Sequence, residues 1–158
     1  MRKTNRNPYA FFIVLSEAVG ALSGWLSRGG MDTFSATAIQ PALTPPMWLF
    51  PVVWVILYAL MGFGAARVCL APSGASRSRG LQLFVVQLIV NFFWSLFFFN
   101  ARRYGFSLLW LLLLWTLVLS MILIWRKTDK LAALLQIHYL LWLTFAAYLN
   151  LGVWYLNR

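Results

Sequence analysis

The chain has 158 residues, of which 62% are hydrophobic and 10% are charged, and this composition excludes an ordinary soluble domain. Its formal charge is +10, but the basic residues stand at the ends of apolar runs, which argues against nucleic acid and favours a lipid bilayer with anionic headgroups as the partner. The one cysteine, Cys69, excludes a disulfide within the chain.

The first predicted membrane helix covers residues 9 to 26 and contains a carboxylate, Glu17, near its middle. An ionised carboxylate that faces lipid costs on the order of 2 to 3 kcal/mol, so Glu17 is expected to face protein or water, or to be protonated. A hydrogen-bonded structural acid is the favoured interpretation. Ser16, Gly20 and Gly24 repeat at steps of four residues and predict a close contact with another helix, either within the bundle or in a second protomer.

A polar segment, Arg28 to Leu43, is predicted to be a loop long enough to act as a lid. The second predicted helix, residues 47 to 66, follows it. Thr44 is expected to cap this helix, with Pro45 and Pro46 in the first turn, where a missing N–H costs nothing. The segment has no charge and is long enough to cross a hydrocarbon core of about 30 Å.

The inner part of the second helix predicts an aromatic face. Trp54 and Tyr58 lie four residues apart and therefore share one side of the helix. Pro51 removes a backbone N–H and is expected to tilt the helix at that point.

The third predicted helix, residues 81 to 101, carries more amide and hydroxyl side chains than contact with lipid tolerates. Such groups are expected to face protein or a cavity, because burying a polar group in hydrocarbon without a hydrogen-bond partner costs on the order of several kcal/mol. The residues of this polar and aromatic face are Gln87, Asn91, Trp94, Ser95 and Phe98.

The fourth predicted helix, residues 106 to 125, is almost wholly apolar and is expected to face lipid. The fifth, residues 131 to 156, has a second mixed face, formed at steps of four residues by His138, Trp142, Ala146 and Asn150. A lone histidine is more often a hydrogen-bonded helix residue than a ligand, and no other histidine or cysteine lies at ligand spacing. No metal site is therefore predicted.

These five helices predict that residues 1 to 158 form one all-α integral membrane domain, a bundle with its termini on opposite sides. Nine of the thirteen lysines and arginines fall on the side of the N-terminus and four on the other side. By the positive-inside rule, the N-terminus is expected in the cytoplasm and the C-terminus outside, for insertion into an inner membrane.

Three segments, which contain the marked faces of the second, third and fifth helices, carry a family resemblance. They read LTPPMWLFPVVWVILYALMG, VNFFWSLFFF and HYLLWLTFAAYLNLGVWYLN, in this order. Across about Pro41 to Asn157, the chain resembles the TspO/MBR family of tryptophan-rich sensory proteins, also known as translocator proteins or peripheral-type benzodiazepine receptors. The resemblance implies a five-helix bundle, expected as a homodimer and without a cofactor. It also implies a cavity for porphyrins, in some members sterols, and benzodiazepine-like or isoquinoline drugs.

The resemblance also implies which residues face the ligand. These are Trp54, Tyr58, Asn91, Trp94, Phe98, Trp142 and Ala146, and their neighbours His138 and Asn150 complete the predicted site. A flat ligand is expected between Trp54, Phe98 and Trp142, beneath the predicted loop, where Arg28 could meet a propionate.

The chain departs from the family pattern at three places. It has Phe34 and Ser35 where the family usually has Trp-Tyr, and His138 and Tyr139 where it usually has Pro-Tyr. Leu151 stands where the sterol-associated motif usually has tyrosine, so sterol binding is not favoured.

Three functions stay open from the sequence. The first is a receptor or sensor for porphyrins, the second a transporter of tetrapyrroles or sterols, and the third a light-dependent porphyrin-degrading enzyme. Trp54 and Trp142 match two tryptophans that are tied to such degradation in some family members. The sequence contains no Ser/His/Asp set, phosphate-binding glycine loop or carboxylate pair within a span, so other enzyme chemistry is not favoured.

Overall fold

A computed structural model describes residues 7 to 158, and the predicted basic tail with Arg2, Lys3 and Arg6 lies outside the described residues. The described part contains five long helices and no strand, and each helix is long and apolar enough to cross a membrane. This confirms the predicted all-α bundle of five transmembrane helices. The helices are α1 (Pro8–Thr37), α2 (Leu49–Leu70), α3 (Ala75–Ser95), α4 (Tyr104–Thr128) and α5 (Lys130–Leu156), and a π-helical turn, Leu96–Asn100, extends α3.

The first helix is longer than predicted. It continues to Thr37, where the sequence predicted an end at Leu26, so the prediction of a loop over Arg28 to Leu43 is wrong for most of that segment. The connection to α2 is shorter and covers residues 38 to 48.

Tertiary packing explains the extra turns of α1. Phe34 is buried, with its ring 5.3 Å from the rings of both Phe98 and Phe99. Gly30 faces the backbone of Phe99 so closely that a side chain there would not fit. The burial of a large aromatic side chain offsets the cost of about 1 kcal/mol for each of the two glycines, Gly29 and Gly30, in these turns.

The second helix begins later than predicted. It starts at Leu49 rather than at Met47, and Thr44 does not cap it, because the Thr44 hydroxyl donates instead to the carbonyl of Pro41 at 2.7 Å. Pro51 therefore lies in the first turn, where its missing N–H needs no partner. A proline in this position removes no helical hydrogen bond, so the tilt expected at Pro51 does not follow, and α2 is continuous to Leu70.

The fourth helix has one lipid face and one protein face. It packs between α3 and α5, and the predicted lipid contact holds for its outer leucines, such as Leu109, which is 67% exposed. On the inner face Trp125 is fully buried, and its indole N–H donates to the carbonyl of Gly80 at 3.0 Å. This bond fixes the start of α3 against the end of α4.

One acidic residue, Asp129, connects α4 to α5 and caps α5. Its carboxylate accepts hydrogen bonds from the backbone N–H of Ala132 at 2.8 Å and from the Arg67 guanidinium at 2.9 and 3.1 Å. Partial burial raises the pKa of Asp129, but the hydrogen bonds from Arg67 and Ala132 outweigh this effect, so the pKa lies below its ordinary value.

We expect this carboxylate to stabilise the fold at neutral pH and to lose its contribution in acid. Because its folded-state pKa is lowered, the stabilisation is present above the ordinary carboxyl pKa of about 3.9 and disappears as pH falls through the lower folded value. Asp129→Asn keeps a cap and should remove this part of the acid sensitivity, whereas Asp129→Ala should also lose about 1 kcal/mol of cap energy. Thermal unfolding in detergent as a function of pH measures both effects. An acid sensitivity of Asp129→Asn equal to that of the unchanged protein would contradict the assignment.

Candidate functional site

A cavity of about 440 Å³ lies between α1, α2, α3 and α5. This volume falls within the range of small-molecule sites, which is roughly 300 to 1,000 Å³. The connection between α1 and α2 and the π-helical turn also contribute to its wall, whereas α4 does not. The cavity is therefore formed by the helices whose faces the sequence marked as polar and aromatic, together with α1.

The structure brings together all but one of the predicted site residues. The members of the predicted site that line the cavity are Trp54, Tyr58, Asn91, Trp94, Phe98, Trp142, Ala146 and Asn150.

The exception is His138, which is exposed and lies outside the cavity. Steps of four residues advance about 400° around a helix, so the face drifts by about 120° over the twelve residues from His138 to Asn150. Tyr139 lies eleven residues before Asn150, an advance that returns to within about 20° of the same direction. Placing His138 in the site was therefore wrong, and Tyr139 is the residue on the inner face.

A chain of buried hydrogen bonds joins α2, α3 and α5 beside the cavity. The Tyr58 hydroxyl donates to Asn91 Oδ1 at 2.9 Å, and Asn91 Nδ2 donates to the Tyr139 hydroxyl at 2.5 Å. Tyr139 in turn donates to Gln87 Oε1 at 2.8 Å, and Gln87 Nε2 contacts the sulfur of Met61 at 3.8 Å. The amides of α3 are therefore paired with protein groups, which explains how they are tolerated at membrane depth.

A second polar contact fixes the other end of the cavity wall. The Trp94 indole N–H donates to Asn150 Oδ1 at 3.2 Å, and Asn150 Nδ2 donates to the carbonyl of Tyr104 at 2.8 Å. The Trp94 ring also stacks on Phe98, with 5.1 Å between centroids. These side chains have their partners within the protein and form a preorganised wall.

Two of the three predicted ligand-facing tryptophans, Trp54 and Trp142, are held by other aromatic rings. Trp54 lies 5.5 Å from Tyr58 and 6.3 Å from Tyr139, and Trp142 meets the edge of Phe50 at 5.8 Å. The indole N–H of Trp142 is buried and has no acceptor among the described residues. A buried donor without a partner costs about 1 to 3 kcal/mol.

The first helix contributes wall residues that the predicted site did not include. Gly20 lies against the ring of Tyr58, and the predicted close contact of the small-residue face is found there. Gly24 also lines the cavity, and a Cβ added to it would meet no atom within 4 Å. The repeat of small residues was the sequence signal that this face of α1 lies against another part of the protein. A glycine does not indicate, however, whether it faces a helix or open space.

The connection between α1 and α2 covers part of the cavity, which is the position expected for the predicted lid. It is attached to α5 by hydrogen bonds. The backbone N–H of Ile39 donates to Asn157 Oδ1 at 2.9 Å, and Asn157 Nδ2 donates to the carbonyl of Ile39 at 2.7 Å. The Tyr148 hydroxyl donates to the carbonyl of Ala42 at 2.8 Å. The residues of this connection that line the cavity are Gln40, Thr44 and Met47.

Arg28 does not take the position predicted for it. It lies within α1, is exposed, and holds its guanidinium 5.3 Å from the centre of the Trp25 ring. It is absent from the cavity wall, whereas Glu17 is part of that wall. Within residues 7 to 158, Glu17 has no hydrogen-bond partner, so the expectation that it is a hydrogen-bonded structural acid is wrong. The same residues contain no group of three or more His, Cys, Asp and Glu that could hold a metal.

Comparison with known proteins gives consistent matches along the chain. The family model described as the TspO/MBR family matches residues 12–156. The chain is 36% identical over 151 residues to Protein CrtK of Rhodobacter capsulatus, covering 94% of this chain and 92% of that protein. It is 34% identical over 151 residues to the tryptophan-rich protein TspO of Chlorobaculum tepidum, covering 94% of each. It is 31% identical over 153 residues to the translocator protein of Bos taurus, covering 96% of this chain and 90% of that protein.

Proposed function

The chain belongs to the TspO/MBR family, and on this basis we propose that it is a membrane receptor or sensor that binds porphyrins and other flat hydrophobic molecules. It is a multi-pass integral membrane protein, and its relatives support a receptor or transporter role in the membrane. The proposed binding site is the cavity between α1, α2, α3 and α5.

The observation that carries the proposal is the aromatic wall of this cavity. Trp54, Phe98 and Trp142 come from three different elements and line the same space. Aromatic pairs contribute roughly 0.5 to 1.5 kcal/mol each beyond the burial of apolar area, so a flat ring system gains from several walls at once.

We expect Trp142→Ala to weaken protoporphyrin binding by about tenfold or more, because it removes one stacking surface of the cavity. Quenching of protein fluorescence by protoporphyrin in detergent measures the affinity. Trp25→Ala is the matched control, since Trp25 is 58% exposed and lies outside the cavity wall. If a folded Trp54→Ala, Trp142→Ala double variant bound protoporphyrin as tightly as the unchanged protein, the ligand would not occupy this cavity.

A second candidate is light-dependent breakdown of bound porphyrin. The observation that favours it is that Trp54 and Trp142 line one cavity, so that both indoles would be close to a bound pigment. The same titration, made in darkness and then under light, separates binding from turnover. Loss of porphyrin absorbance that requires light and is slower in Trp54→Phe and Trp142→Phe supports breakdown, and a spectrum that is stable under light supports binding alone.

The homodimer and the cytoplasmic N-terminus stay predictions. A cysteine introduced at Thr4, compared in intact and permeabilised cells that carry Cys69→Ser, tests the orientation. Reaction with an impermeant reagent in intact cells would place the N-terminus outside. Crosslinking in membranes measures whether two chains associate.

A further inference from the structure

Among residues 7 to 158, Glu17 is the one residue of the cavity wall that can carry a charge near neutral pH. No lysine, arginine or histidine of residues 7 to 158 lines the cavity, and Glu17 is its one acidic wall residue. The ion pair found in the described part joins Arg67 to Asp129 and lies elsewhere, so no cation of that part neutralises Glu17.

The other polar groups of the wall are neutral, and several of them already have partners within the protein. The amide nitrogens of Asn91 and Asn150 and the indole N–H of Trp94 already donate to protein groups. The N–H of Trp142 has no acceptor in the described part of the chain, but it is buried and has almost no surface open to the cavity. A carboxylate that entered the cavity would lose its hydration, meet only neutral donors and be repelled by Glu17 in its ionised form, whereas a protonated amine would pair with that carboxylate.

We propose that this cavity prefers flat hydrophobic ligands that carry a basic amine, or no charge, over ligands that carry carboxylates. The proposal rests on the function proposed above and names the ligand class of the same cavity. A dicarboxylic porphyrin would bind with its propionates outside the cavity and its ring system inside. Neutral and amine-bearing ring systems have no such restriction.

The expected size of the preference follows from the distance between charges. Two unit charges about 10 Å apart in a medium with an effective dielectric constant of about 20 interact strongly enough to change an affinity by about tenfold. Attraction of an amine and repulsion of a carboxylate act in opposite directions. The ratio of the two affinities should therefore change by more than tenfold when the charge of Glu17 is removed.

The test compares three probes with the same ring system: protoporphyrin, its neutral dimethyl ester, and a diamide whose two side chains end in primary amines. Each is titrated against the unchanged protein, Glu17→Gln and Asp32→Asn in the same detergent at neutral pH. Asp32 is the matched control, because it is an exposed acid on the same helix and lies outside the cavity wall. Comparing ratios between variants cancels the different partition of each probe into micelles.

We expect Glu17→Gln to bind the ester unchanged, the amine about tenfold more weakly and the dicarboxylate more tightly, and Asp32→Asn to behave as the unchanged protein. Retained binding of the ester shows that the cavity is intact, and Glu17→Ala serves as a second variant if Glu17→Gln does not fold. Equal ratios in all variants, with all probes still sensitive to Trp142→Ala, would overturn the charge preference and leave the proposed function standing. Absence of binding for all three probes would overturn both.

Discussion

Replacing Gly24 by leucine is expected to reduce porphyrin binding by about a hundredfold or more, because the new side chain grows into the space that the ligand needs. Gly24 lines the cavity, and a Cβ at this position meets no atom within 4 Å. The backbone of α1 therefore has room for a Cβ at this position. When an aliphatic side chain fills part of this cavity of about 440 Å³, the remaining volume is too small for a porphyrin.

Gly29→Leu is the matched control for this experiment. Gly29 lies in the same helix, is also free of neighbours within 4 Å, and does not line the cavity. Both substitutions remove a glycine from a helix interior, so each should stabilise the protein by up to about 1 kcal/mol. Thermal unfolding should thus shift upward in both variants, while fluorescence titration shows lost binding in Gly24→Leu alone. Full-affinity binding to a folded Gly24→Leu variant would place the ligand elsewhere.

The second large effect is expected on stability, from Asn91→Leu. Asn91 accepts a hydrogen bond from Tyr58 and donates one to Tyr139, and all three side chains are buried. Leucine at this position leaves the Tyr58 hydroxyl without an acceptor, which should lower the free energy of unfolding by about 1 to 3 kcal/mol. Reversible unfolding in mixed micelles measures the change.

A double variant shows whether this loss comes from the stranded hydroxyl. Tyr58→Phe combined with Asn91→Leu removes both partners, so the pair should be more stable than Asn91→Leu alone. Gln82→Leu is the control, since Gln82 is exposed on the same helix and its loss should change the stability little. If the double variant were less stable than either single variant, packing rather than hydrogen bonding would explain the effect.

The faces of α2 and α3 that line the cavity could be predicted, because the residues that mark each face lie within one or two helical turns of each other. Trp54 and Tyr58, and likewise Asn91 and Trp94, are so close in sequence that helical drift cannot separate them. In α5 the same reasoning was extended over three turns and placed His138 on the wrong face. The repeat of eleven residues that joins Tyr139 to Asn150 gives the correct face.

The end of α1 could not be predicted from local sequence. Gly30 and the polar residues around it indicate a loop, and helical structure persists because Phe34 is buried against the aromatic rings after α3. Those rings are more than sixty residues away in the chain. A glycine such as Gly24 likewise has no side chain to indicate that it borders a cavity.

One departure from the family pattern has a clear structural result. His138 stands where the resemblance leads one to expect proline, and α5 is continuous from Lys130 to Leu156. A histidine keeps the backbone N–H that a proline lacks, so the helix has no reason to bend there. Trp142 and Ala146 therefore face the cavity from a regular helix.

The hydrogen bonds that attach the α1–α2 connection to α5 can change the rate of ligand exchange without changing the affinity for the ligand. The contacts of Asn157 with Ile39 and of Tyr148 with Ala42 lie outside the cavity wall. If a ligand passes beneath this connection, these bonds break in the transition state for entry and for exit alike, so they slow both rates by the same factor. The residence time of a ligand can then change through residues that never touch it, while its dissociation constant stays the same.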